Sequence, residues 1–135
     1  MREPYKDIEL SERKWRINKF DALTGSQLLR KFMAAREADP QTFVGTLSDE
    51  DFAVIQSACL RSCGEITEVA GNAVSLPVLN ASGSWGVANL QNDTVTVYML
   101  TIACVSFNLS SFFDASVLKG LEKIAMDFSP SNAQI

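Results

Sequence analysis

The side chains most often used for catalysis are sparse in this chain. It contains no histidine, so the group that most readily exchanges a proton near neutral pH is missing. Three cysteines, Cys59, Cys63 and Cys104, could act as nucleophiles or metal ligands. A reactive thiolate needs a cationic or helix-terminal neighbour to lower its pKa, yet all three fall in apolar stretches and read as small core residues. Cys59 and Cys63 lie four apart and would share a helix face. A zinc site would need further ligands, and the chain offers no second cysteine pair to supply them. The carboxylates cluster only at Asp49, Glu50 and Asp51. Adjacent helical positions point in different directions, so these acids suit the first turn of a helix, where they meet its dipole. No glycine-rich loop is followed by Lys-Ser/Thr, as a phosphate-binding loop requires. The expectation is a protein that is not an enzyme and uses no metal or cofactor.

Two groups of residues carry the chemistry of binding. Trp15 lies in the basic stretch Arg13-Lys14-Trp15-Arg16, where it could stack on a single-stranded base or pack its own segment onto the first helix. Phe112 and Phe113 are adjacent and precede Asp114. Two neighbouring phenylalanines on a helix cannot both face one core stripe. One could plug the core while the other anchors a partner; the alternative buries both at a bend. Trp15, Phe112 and Phe113 are thus the candidate partner-binding residues.

The elements that must hold these residues fit one domain over 1–135, since 135 residues match an ordinary domain size. Apolar residues make up 47% of the chain, enough for a core. A formal charge of −4 and a sequence pI near 4.8 argue against nucleic acid as the main ligand. Charge is uneven: residues 1–40 carry a net +2 and the remainder a net −6. Such a chain could associate head to tail with copies of itself, although a solvated surface explains the same pattern. An odd, small number of cysteines fits a reducing compartment, and the charged N-terminus lacks the apolar stretch of a secretory signal. The apolar run Val95 to Leu109 is too short to span a membrane.

Weak alternation over 6–20 predicts a short N-terminal β-hairpin, turning within Ser11 to Lys14. Asp21 caps a helix over about 22–38, with Leu28, Leu29, Phe32 and Met33 as its apolar stripe, ended by Asp39-Pro40. Ser48 caps a second helix over 48–63, with Phe52, Ile55, Cys59 and Cys63 at helical spacing and Gly64 as its C-cap. Residues 64–92 contain Gly64, Gly71, Gly83, Gly86 and Pro77. They predict an irregular region with turns near Gly71-Asn72 and Ser82-Gly83-Ser84, and at most a short edge strand over Val74 to Leu79. Residues 94–107 are rich in β-branched side chains, but fourteen residues without a breaker after Asn92-Asp93 predict a helix buried on most faces. After an interruption at Asn108 to Phe113, a last helix is expected over 115–127, with Val117, Leu118, Leu121, Ile124, Ala125 and Phe128 on its apolar side. The expected fold class is mainly α, a small helical domain with a short N-terminal β-hairpin, with α+β as the alternative.

The segment Arg13-Lys14-Trp15-Arg16-Ile17-Asn18-Lys19-Phe20-Asp21-Ala22-Leu23-Thr24-Gly25, which leads into an amphipathic helix, resembles the opening of tail assembly chaperones of long-tailed bacteriophages. The stretch Val105-Ser106-Phe107-Asn108-Leu109-Ser110-Ser111-Phe112-Phe113 is similar to an Asn-x-x-x-Phe-Phe ending in related proteins. The resemblance implies a largely helical, oligomer-forming protein that acts in the host cytoplasm and is absent from the mature virion. It implies binding to the tape measure protein, and to the tail tube protein through a frameshift-extended form. A client with long apolar helical stretches calls for apolar grooves and no chemistry. The alternatives are a virion structural protein, such as a tail completion or adaptor subunit, and a small nucleic-acid binder using Arg13 to Arg16.

Overall fold

The computed structural model describes residues 4–35 and 40–112. Within them the chain runs β1 (Tyr5–Leu10), β2 (Arg13–Asn18), α1 (Ala22–Ala35), α2 (Pro40–Thr46), α3 (Asp49–Ser62), β3 (Cys63–Val69), β4 (Asn72–Pro77) and α4 (Thr94–Phe112). The strands form one antiparallel sheet in the order β1-β2-β3-β4. The fold class is therefore α+β, which corrects the mainly α expectation.

The correction comes from the stretch expected to be irregular. Ala70 and Gly71 both adopt positive φ, 54° and 83°, the conformation that lets a two-residue turn follow the twist of its flanking strands. Val69 consequently pairs with Asn72, and the ladder continues to Gly64 opposite Pro77. Gly71 is the joint of this hairpin, and Pro77 ends an edge strand where proline is tolerated. Gly64 is no helix cap, because α3 stops at Ser62 and Cys63 is already extended, at φ −103° and ψ 148°. A side chain at Gly64 would collide with the Ser75 hydroxyl and come within 3.0 Å of the Leu76 carbonyl oxygen. Close contact between the strands is what requires glycine there.

The predicted N-terminal hairpin is present, with Ser11 and Glu12 as its turn, both at positive φ. The Ser11 hydroxyl lies 2.5 Å from that of Thr96, which ties the turn to the start of α4. Three of the predicted N-caps are also present. Asp21 accepts hydrogen bonds from the Leu23 and Thr24 amides, Ser48 from the Asp51 amide, and Asp93 from the Thr96 amide. Pro40 begins the short helix α2, which was not anticipated, because a first-turn residue needs no N–H.

No break occurs at Asn108. Its amide nitrogen donates to the Cys104 carbonyl at 2.9 Å, and its side-chain oxygen accepts from the Phe20 N–H at 2.8 Å. Ser110 likewise donates back to the Phe107 carbonyl. With these polar groups satisfied, α4 runs on to Phe112. The expected helix over 115–127 lies outside the described residues.

Helix α4 is the hub of the fold. It touches α1, α2, α3 and both strands of the N-terminal hairpin. Its Leu100, Cys104, Val105 and Leu109 meet Trp15 and Ile17 of the sheet, Leu28 of α1, Phe43 and Val44 of α2, and Ile55 and Cys59 of α3 in one core. The opposite face of the hairpin is charged: Arg16 bonds Asp7 at 2.9 Å and covers the Tyr5 ring at 4.1 Å.

Candidate functional site

The candidate partner-binding residues lie in very different settings. Trp15 is fully buried, and its indole N–H donates to the Leu10 carbonyl at 3.0 Å. It anchors the hairpin and presents no ring to a partner. Both arginines of the stretch are also engaged. Arg13 makes a two-pronged bridge to Glu65 and reaches the Ala88 carbonyl, and Arg16 pairs with Asp7. The stretch therefore lacks the exposed aromatic that a stacking site for single-stranded nucleic acid needs. Phe112 is the last residue of α4, with its side chain outside the described part, and Phe113 lies outside the described residues altogether.

The three cysteines converge, which their positions in the sequence did not reveal. Cys59 and Cys63 flank the α3–β3 junction, Cys104 comes from the middle of α4, and all three are buried. The hydrogen bond from Cys104, together with burial, holds the Cys63 thiol well above its ordinary pKa; contact with Cys59 and burial do the same for Cys104. Cys63 and Cys104 are thus buried thiols held in their neutral form, the opposite of an activated nucleophile. Among the described residues no group of three or more histidine, cysteine or acidic side chains could hold a metal ion.

Asp49, Glu50 and Asp51 occupy the first turn of α3. Asp51 is tied to Lys31 of α1 at 2.8 Å, a contact that lowers its pKa. A shallow depression between α1 and α3 is lined by Arg30, Lys31, Phe43, Leu47 and Asp51. The ion pair crosses it, so its charges answer one another across the helices.

The outward face of α4 is different in kind. None of the nineteen residues from Thr94 to Phe112 is charged. A helix apolar on every side is normally covered on every side. Here Val95 is 72% exposed, Met99 45% and Tyr98 37%, and Ile102, Ala103 and Ser106 continue the same face half-buried. Their spacing of three and four residues makes a stripe of more than two turns. Tyr98 stacks on Phe52 of α3, with ring centroids 6.2 Å apart, which widens the stripe into a shallow apolar strip between two helices. Asp93 immediately precedes α4, and the exposed Asp49 and Glu50 open the turn of α3 that leads to Phe52, the ring stacked on Tyr98. The strip was readable in principle as a long helix without a single charge. What the sequence hid was which face the core leaves open.

Compared with models of known protein families, with curated proteins and with solved structures, the chain matches none. No helix among the described residues is long and apolar enough to cross a membrane.

Proposed function

We propose that this chain is a non-catalytic binding protein that works as an assembly chaperone for a long-tailed phage, gripping apolar helical stretches of the tape measure protein. The observation that carries this reading is the open, uncharged strip of Val95, Tyr98 and Met99 on α4, continued by the half-buried Ile102. A client helix would lay its apolar residues along such a strip in the manner of helix-in-groove recognition. The carboxylates of Asp49, Glu50 and Asp93 favour a client with basic residues flanking its apolar stripe. The resemblance carried by Arg13 to Gly25 supplies the identity of the client, and in the fold that segment is a strand leading straight into α1. In this reading the protein acts in the host cytoplasm and is left out of the finished particle. The tail tube protein would be engaged through an extended form.

Co-expression with the tape measure protein of the same phage tests the proposal. The expected result is a soluble complex that survives purification, from a tape measure protein that aggregates when made alone. A tape measure protein that stays soluble with no chaperone bound would contradict it. Mass spectrometry of purified particles is the second check: finding the chain there in stoichiometric amount would mark it instead as a structural tail subunit.

A further inference from the structure

Among the described residues the sheet has two edges, and they are built differently. β1 carries Lys6, Asp7 and Glu9 within six residues, the kind of charge that discourages another strand from adding on. β4, Asn-Ala-Val-Ser-Leu-Pro, carries none. Val69 and Asn72 flank a two-residue turn and so form a hydrogen-bonded pair. Strict alternation then turns the backbone groups of Asn72, Val74 and Leu76 towards β3 and those of Ala73 and Ser75 outwards. The open stretch is short. From Val78 onwards the chain covers its own edge, with the Gly86 N–H donating to the Val78 carbonyl at 2.9 Å and Trp85 bridging to Leu79. Beside the open stretch, Val69 is 55% exposed and Leu76 39%, with Val74 half-buried between them.

We infer that β4 is a dimer edge, at which a second copy of this chain adds its own β4 antiparallel across a two-fold axis through Val74. Ala73 then faces Ser75 of the copy, and each pair exchanges both backbone hydrogen bonds. The outward N–H and carbonyl groups of Ala73 and Ser75 in both strands are thereby used, while the outward Pro77 carbonyl lies against Gly86 of its own chain. Val74 meets the copy's Val74 and Leu76 meets the copy's Asn72, with no charge brought opposite another. A copy fits better than a longer foreign strand. The open stretch is bounded by the Ala70-Gly71 turn at one end and by the Gly86 segment at the other, and a second β4 carries the same limits. The arrangement closes on itself, so it gives a dimer and no filament. It is independent of the client reading, which concerns α4.

Sedimentation velocity of the full chain, from about 1 to about 100 µM, together with amide exchange at both extremes, tests the inference. Dimers are expected, with the Ala73 and Ser75 amides better protected at the higher concentration. Ala73→Pro removes one outward donor without touching the β3 ladder, and Val74→Lys sets two like charges face to face. Each is expected to weaken the dimer at least about tenfold while leaving the circular dichroism spectrum unchanged. A monomer throughout the range would overturn the inference, as would a dimer that either folded variant leaves intact. Should neither variant fold, the wild-type exchange decides: fast exchange at Ala73 and Ser75, indifferent to concentration, overturns it.

Discussion

Asn108 is 1% exposed, yet both ends of its amide are occupied, by the Phe20 N–H and the Cys104 carbonyl. It stitches the loop before α1 to the middle of α4. Asn108→Ala leaves the Phe20 donor unanswered, and a loss of about 2–3 kcal/mol is expected in urea unfolding. Gly64→Ala is expected to destabilise as well, because Ser75 stands where the new methyl would go. Adding Ser75→Gly should recover part of that loss, and a double-mutant cycle reads the coupling. Titration has two sides. Hydrogen bonds from Arg16, Thr24, Lys31 and Thr96 lower the pKa values of Asp7, Asp21, Asp51 and Asp93 respectively. Depressed carboxylates stabilise the fold above their ordinary value near 3.9, so stability should fall as pH drops below about 4. The thiols of Cys63 and Cys104 run the other way: their folded values are raised. Their contribution is complete below the unfolded value of about 8.5 and is lost as pH climbs towards the folded values. Thermal midpoints across pH should therefore fall at both ends.

At the scale of elements, side chains with local jobs were the legible ones. Asp21, Ser48 and Asp93 announce helix starts because a short polar side chain ahead of an apolar run has few other uses. Ser48→Ala should cost about 1 kcal/mol, measured by denaturant unfolding, since Asp51 loses the acceptor for its N–H. The β3–β4 hairpin was not legible for the converse reason. Its strands are half-exposed, and its pairing with β2 rests on only Trp15, Arg16 and Ile17 opposite Glu65, Gly64 and Cys63. That contact is distant in sequence and leaves no local pattern. Asn108 misled for a related reason: a polar residue that bonds within its own helix looks like a breaker until its partners are known. Of the three residues singled out for binding, Trp15 went inward because it shares the core face of the hairpin with Ile8, Leu10 and Ile17. The exposed apolar strip lies instead on α4, among residues that read as core.

Among the described residues, the outward faces of the hairpin and of α4 differ in kind. The outer face of the hairpin holds paired charges such as Asp7–Arg16, and α1 and α3 are joined by Lys31–Asp51. The apolar strip lies on α4, the helix that every layer of the core already uses. A single outward substitution can therefore test the proposed binding face without disturbing the interior. Met99→Glu is the substitution to make, with thermal unfolding as its control, because Met99 sits at the centre of the strip and is half exposed. The deciding measurement is the affinity of wild type and Met99→Glu for the co-purified tape measure protein under identical conditions. The expected result is a loss of at least about tenfold, from a charge placed in a desolvated contact, with the thermal midpoint unchanged. Equal affinity in a correctly folded variant would contradict the assignment of α4 as the client-binding face.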